Sequence, residues 1–205
     1  MYLGRQIMSN KLEVRSFSDL EIRDGDDSVT VVGYASVFDQ ETVIWDEFRE
    51  VVRKGAFSEA VNRDDVQLLV NHDGLPLART TSNTLTLTED ATGLRMESKL
   101  DISDPDVARI IPKMKRGDLS KMSFAFRVKE QRWTDHDNAM PLRELLDLEL
   151  SDVSIVSTPA YDGTSVSLRA EARGIKEAAK ENIKVTQSDL VRLRMKQALV
   201  ARVAR

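Results

Sequence analysis

Between Thr84 and Leu100 the residue pattern leaves little choice of fold. Thr84-Leu85-Thr86-Leu87-Thr88 alternates hydroxyl and leucine, Leu94-Arg95-Met96-Glu97-Ser98-Lys99-Leu100 alternates again, and Glu89-Asp90-Ala91-Thr92-Gly93 between them is turn chemistry. Period two sends alternate side chains to opposite faces, so the stretch is a β-hairpin with one apolar face. A lone hairpin is marginal in water and needs further strands or a helix over that face.

The rest of the chain supplies them. Lys11 to Phe17 and Ser28 to Phe38 read as strands, the second rich in β-branched and aromatic residues, with Gly33 a bulge or point of close approach. Arg23-Asp24-Gly25-Asp26-Asp27 is the loop between them. Thr42 to Val52 carries Trp45 and Phe48 among acids and reads as an irregular strand edge or loop. Gly55 to Asn62 suits a short helix burying Ala56, Phe57, Ala60 and Val61. Gln67 to Asn71 is a near-continuous apolar strand, expected to be buried on both sides.

Asp104-Pro105 opens a helix running to about Lys115, with Gly117 beyond its end and Pro112 inside, where it should kink or shorten it. Ser120 to Val128 is a strand with Met122, Phe124 and Phe126 on one face and Ser123 and Ala125 on the other. Leu142 to Val156 is a long strand or bent pair, ended by Thr158-Pro159-Ala160. From Ala170 the pattern turns helical, with a break around 182–186 and Ser188 able to cap a second segment. The expected fold is mostly β (α+β): a mostly antiparallel β-barrel with a few short helices and a helical C-terminal tail. Residues 1–10 are expected to be disordered, 11–169 to form the domain, and 170–205 the tail.

Composition narrows the function. The chain has no cysteine, which excludes disulfides, thiol catalysis and thiolate metal sites. No run approaches the ~20 apolar residues of a membrane span, and Met1 to Asn10 lacks the apolar stretch of a secretory signal. A net charge of −4 argues against a general nucleic-acid binder. Nine Lys/Arg against four Asp/Glu from Glu171 to Arg205 give that segment +5, leaving −9 for the rest. A basic tail on an acidic domain reads as a separate contact element or as a solvated helix.

Two strand-like runs carry reactive side chains. His72 follows Val66-Gln67-Leu68-Leu69-Val70, and Ser123 stands among Met122, Phe124 and Phe126. A serine hydroxyl becomes a nucleophile when an imidazole accepts its proton, and a carboxylate behind the imidazole fixes the tautomer. The chain has two histidines. His136, in Asp135-His136-Asp137, lies at a polar loop tip where it is solvated or at most attracts a cation weakly; no metal and no cofactor are expected. By residues alone His72 is more often a packed core histidine than a base. Asp73 forms no dyad with it, because strand neighbours point to opposite faces. Ser120, Ser154 and Ser157 compete with Ser123. Asp147, Glu149 and Asp152 are the acids of the late strand. On a regular strand Asp152 shares a face with Ser154, and Glu149 points the other way. Arg79 and Arg143 could reach an oxyanion but read more readily as ion-pair arginines.

Five ordered motifs resemble the tailed-phage prohead (capsid maturation) protease family, over roughly residues 28 to 168. They are Val32-Gly33-Tyr34-Ala35-Ser36-Val37-Phe38; Lys54-Gly55-Ala56-Phe57; His72-Asp73 with Ala78-Arg79-Thr80; Arg116-Gly117-Asp118-Leu119-Ser120-Lys121-Met122-Ser123-Phe124-Ala125-Phe126; and Ser151-Asp152-Val153-Ser154-Ile155-Val156-Ser157-Thr158-Pro159-Ala160-Tyr161. The resemblance implies a herpesvirus-assemblin-like barrel and a serine endopeptidase. In it Ser123, flanked by methionine and phenylalanine, is the nucleophile and His72 the general base. Asp152, directly before Val153-Ser154, is the orienting carboxylate, where the family more commonly has glutamate; Glu149 is the reserve. The implied partners are the major capsid protein, scaffold segments and further copies of the chain, inside the prohead in the bacterial host cytoplasm, with self-cleavage to follow. No membrane and no specific nucleic acid are implied. The tail is expected to be a targeting or assembly element. The competing class is a non-catalytic β-barrel serving as scaffold or capsid-binding module. An esterase is disfavoured because the Gly-x-Ser-x-Gly elbow is missing.

Overall fold

A computed structural model describes residues 2–25, 27–134, 140–157 and 172–180, of which 2–10 and 17–19 by their backbone. Ten strands and three helices make up the described part. In chain order they are β1 (Tyr2–Asp24), β2 (Ser28–Val37), β3 (Thr42–Ile44), β4 (Phe48–Val52), α1 (Ala60–Arg63), β5 (Gln67–Val70), β6 (Asp73–Arg79), β7 (Leu85–Glu89), β8 (Gly93–Asp101), α2 (Pro105–Lys115), β9 (Lys121–Thr134) and β10 (Leu142–Val156), followed by α3 (172–180). His136, Thr158-Pro159-Ala160 and the tail beyond residue 180 lie outside the described residues.

The sheet runs β3-β4-β10-β9-β1-β2-β8-β7, with β5 also on β10 and β6 on β5. Its two end strands do not pair with each other, so the pairing path is open where a closed barrel was expected. It is also not wholly antiparallel: β4 and β5 both run parallel to β10. β1 joins the two halves. Residues up to Asp19 pair with β9 and residues from Leu20 pair with β2, with a register shift between Phe17 and Asp19. The strand starts at Tyr2, inside the stretch expected to be disordered, and pairs there with Thr134. A long partner strand offers its edge to those residues, a tertiary effect that local composition does not carry.

The hairpin formed by β7 and β8 pairs in register from Leu85↔Ser98 to Glu89↔Leu94. The bulge of β2 against β8 falls between Tyr34 and Ser36, while Gly33 stays in register opposite Met96. The close approach is at Gly93 instead: a Cβ there would lie 1.9 Å from the Ser36 carbonyl oxygen. Thr42 to Val52, expected to be irregular, forms the hairpin β3–β4, with Trp45 and Asp46 in the left-handed region at its turn.

Helix α2 matches its sequence signals. Asp104 caps it by accepting the Asp106 N–H at 2.8 Å, Val107, Ile110 and Met114 are buried, and Gly117 leaves it at φ +89°. It runs three residues past Pro112. Of the expected helix at Gly55 to Asn62, turns occupy all but the end, and α1 begins only at Ala60. Those turns wedge Phe57 into the core, 6.0 Å from the Phe38 ring and 5.5 Å from Phe124. Glu89, at the end of β7, accepts the Gly55 and Phe57 N–H groups at 2.7 and 2.9 Å and so draws the two ends of the sheet together. One apolar cluster fills the space between, from Val29 and Leu94 to Phe124, Leu148 and Ile155. A second joins Ile44, Phe48 and Trp133 to Ala172 and Ala179 of α3.

Candidate active site

Three adjacent strands and one hairpin turn build the site. In the register, Ser123 of β9 faces Ser16 of β1 on one side and Ser154 of β10 on the other. Asp152 faces Ala125. Ser123, Ala125, Asp152 and Ser154 therefore share one face, and the small Ala125 leaves room over it. This alignment depends on a bulge. Leu150 pairs with Phe126 but Asp152 pairs with Ala125, so Ser151 is the extra residue. Without it Ser151 would occupy the place opposite Ala125, and Asp152 would turn to the other face. The bulge is held from outside, where the Asp64 carboxylate at the end of α1 accepts the Leu150 N–H at 2.7 Å.

The imidazole arrives on the tight turn between β5 and β6. Val70 pairs with Asp73, and the two residues between them, Asn71 and His72, have φ of +53° and +59°. Such a pair is what a two-residue hairpin of the I′ kind requires, and Asn-Gly is its usual sequence. Histidine in that region is strained by about 1–2 kcal/mol, and such strain is characteristic of functional positions. Strand β10 holds the turn. Asn71 donates its N–H to the Ile155 carbonyl at 3.0 Å, its Oδ1 accepts the Ser157 N–H at 3.2 Å, and the His72 N–H is donated to Ser154 Oγ at 3.2 Å.

From there the ring bridges the diagonal between β9 and β10. His72 Nδ1 is 2.7 Å from Asp152 Oδ1, and His72 Nε2 is 2.7 Å from Ser123 Oγ. With the carboxylate ionised, the proton on Nδ1 points at it, which leaves Nε2 as the lone-pair acceptor facing the hydroxyl. Asp152 is 6% exposed and Ser123 fully buried, whereas the His72 side chain keeps 20% of its surface. Ser123 Oγ is also 2.7 Å from the Arg15 carbonyl. A hydroxyl has one proton, so that carbonyl competes with the imidazole for it.

The other candidates are placed elsewhere. Glu149 sits in the row of Arg127 and pairs with it at 3.3 Å. The expectation that it opposes Asp152 assumed a regular strand; the Ser151 bulge shifts the phase, and distance along the strand removes Glu149 from the ring. Asp147 lies opposite Glu130, further along β10. Ser120 precedes β9, its carbonyl accepting the Leu20 N–H at 3.1 Å, and Ser157 is exposed. Ser154 lies on the Nδ1 side of the ring, away from Nε2. Arg79 is engaged by Asp65 at the surface. Arg143 donates to Gln131, Glu13 and Glu50 within a buried cluster.

That cluster was not legible in the sequence. Arg15 Nε is 2.5 Å from Glu50 Oε1 and its Nη2 2.9 Å from Glu13 Oε2, while Arg143 reaches the same two carboxylates at 2.6 to 2.8 Å. Two cations thus meet two anions with essentially no exposure, under the rings of Phe126, Phe48 and Trp133. Burial alone would push the Glu13 carboxyl up; the charges and hydrogen bonds of Arg143 and then Arg15 outweigh it and hold it at about 2. Because Arg15 is also the residue whose carbonyl meets Ser123, the cluster anchors the segment of β1 that flanks the nucleophile candidate. The one available signal was Glu13-Val14-Arg15: two charges at period two on one face of a strand.

Comparison with solved structures finds the capsid assembly protease gp21 of bacteriophage T4, at 12% identity and a TM-score of 0.47, with 73% of this chain and 98% of that one covered. Comparison with curated proteins finds no match. The family model described as caudovirus prohead serine protease matches residues 17–181. That span takes in β9 and β10, the His72 turn and α3, and the chain accordingly belongs to the caudovirus prohead serine protease family.

Proposed function

We propose that the protein is a serine endopeptidase that trims the major capsid protein and scaffold segments, and then itself, during prohead maturation. The observation that supports this most is the unbroken relay from Ser123 Oγ through the His72 ring to Asp152, with 2.7 Å at each step, in a chain of this family. Ser123 Oγ attacks the scissile carbonyl carbon as its proton passes to His72 Nε2. The tetrahedral intermediate collapses when Nε2–H protonates the leaving amine, and the acyl group stays on Ser123. Water, deprotonated at the same Nε2, then releases the acid. Asp152 keeps the ring in the working tautomer and stabilises the imidazolium in each half-reaction.

The buried position of Ser123 bears on how the activity is controlled. A peptide carbonyl reaches Oγ only when the groups around it part, and the oxyanion needs N–H donors, which the Arg15 carbonyl is not. The acidic body with its basic segment from residue 170 fits an enzyme that works on an assembling shell, and no helix among the described residues is long and apolar enough to cross a membrane. We assign the catalytic domain to the span from β1 to α3, since β1 pairs with β9 from Tyr2 and α3 packs on Ile44, Phe48 and Trp133, and the basic segment beyond residue 180 to an assembly element.

Co-expression with the capsid protein, followed by intact mass over time, tests the reading. The wild type is expected to shorten capsid protein and to lose its own basic segment, while Ser123→Ala leaves both whole. Assembled shells with no trimming by either chain would instead support the scaffold reading.

A further inference from the structure

Ser154 entered as a rival nucleophile, and its surroundings give it a different task. Its side chain is completely buried. Its Oγ lies 2.9 Å from Asp152 Oδ1, 3.2 Å from the His72 backbone N–H and 3.2 Å from His72 Nδ1. A hydroxyl has one proton and two lone pairs. The backbone N–H can only donate and the ionised carboxylate can only accept, so the direction of each bond is fixed. Ser154 donates to Asp152 and accepts from His72.

We infer that Ser154 is a positioning residue that sets both the backbone and the tautomer of His72; this rests on the reading of His72 as base and Asp152 as its orienting carboxylate. Two consequences follow from the bonds. Accepting the His72 N–H holds the residue in its left-handed conformation at φ +59°, which carries a cost for a residue with a Cβ. Donating to Asp152 Oδ1 fixes that oxygen toward the ring, and the remaining Ser154 lone pair and the carboxylate together present only acceptors to Nδ1. The ring proton is thereby kept on Nδ1 and the lone pair on Nε2, 2.7 Å from Ser123 Oγ. Ser154 can serve both partners because it stands directly across from Ser123 in the register and two residues from Asp152 on the same face.

The test compares wild type, Ser154→Ala, Ser154→Thr and Ser123→Ala, each co-expressed and purified with capsid protein. It reads kcat and KM for cleavage of a peptide spanning the trimmed junction, and the ¹⁵N shifts of the His72 ring. Misplacing a general base by a fraction of an ångström is expected to lower kcat of Ser154→Ala by roughly 10- to 100-fold, with KM within about twofold. Threonine, which keeps the hydroxyl, restores most of the loss. The ¹⁵N shifts report one Nδ1–H tautomer in the wild type and a mixture in Ser154→Ala. If Ser154→Ala folds and matches the wild type in kcat and tautomer while Ser123→Ala is inactive, the inference fails and the triad reading stands. If Ser123→Ala is fully active, the triad reading itself fails. Should the alanine chain not fold, Ser154→Cys fills the same space with a poor donor. It is expected to show the same loss of kcat, and unchanged kcat overturns the inference.

Discussion

Asp152 and Glu149 stand three positions apart on one strand, and only one of them touches the imidazole. The difference is register: the extra residue Ser151 lines Asp152 up with Ala125, while Glu149 remains beside Arg127. The shorter aspartate reaches Nδ1 at 2.7 Å because the turn carries His72 over β10. Asp152→Asn keeps the shape but offers Nδ1 an amide that can pin the wrong tautomer. A loss of kcat on the order of 10³- to 10⁴-fold is expected, as for the orienting aspartate of the serine-protease template. Glu149→Gln is expected to stay within about twofold, since an exposed pair contributes little. Cleavage rates of the two variants on the same junction peptide check this, and equal losses would reassign the acid. His72, Ser123 and Asp152 were all marked in the sequence by the family motifs. The left-handed Asn71-His72 turn, the Ser151 bulge and the role of Ser154 were not, because each depends on which strand lies alongside.

At the scale of elements, local patterns carried most of the secondary structure. Period two gave the β7–β8 hairpin, and capping chemistry at Asp104-Pro105 and Gly117 gave α2. The patterns failed where neighbours decide. Tyr2–Asp24 is one long strand because β9 and β2 each extend part of it. Glu13, Arg15, Glu50 and Arg143 are buried because they meet one another, coming from three strands distant in sequence. The cluster gives these strands a shared acid sensitivity. Glu13 ionises at about 2 in the folded chain against a reference of 4.5, so the folded state binds fewer protons than the unfolded chain between those values. The stabilisation is complete above about pH 5 and is lost progressively as pH falls toward 2, amounting to about 3 kcal/mol for this group. Urea unfolding at pH 7 and pH 3 should show the midpoint fall accordingly; an unchanged midpoint would contradict the ionised cluster.

For the whole molecule, the expected mostly β fold is present, and the expected closure is replaced by an open path with two parallel pairings on β10. Those pairings could not be read locally, since parallel neighbours are joined by long connections rather than by turns. They matter for function: β5 alongside β10 is what delivers the His72 turn to Asp152 and Ser154. The site is thus assembled from three segments, His72 lying 51 residues before Ser123 and Asp152 80 residues after His72, with the Ser123 side chain buried between β1 and β10. If the triad operates, Ser123 is made nucleophilic by His72. Incubating wild type that trims capsid protein, and His72→Ala prepared in the same way, with a fluorophosphonate, followed by peptide mapping, tests it without reference to substrate sequence. One adduct, on Ser123, is expected in the wild type and none in His72→Ala. An adduct on another serine in both chains, or no adduct in a preparation that trims capsid protein, would contradict it.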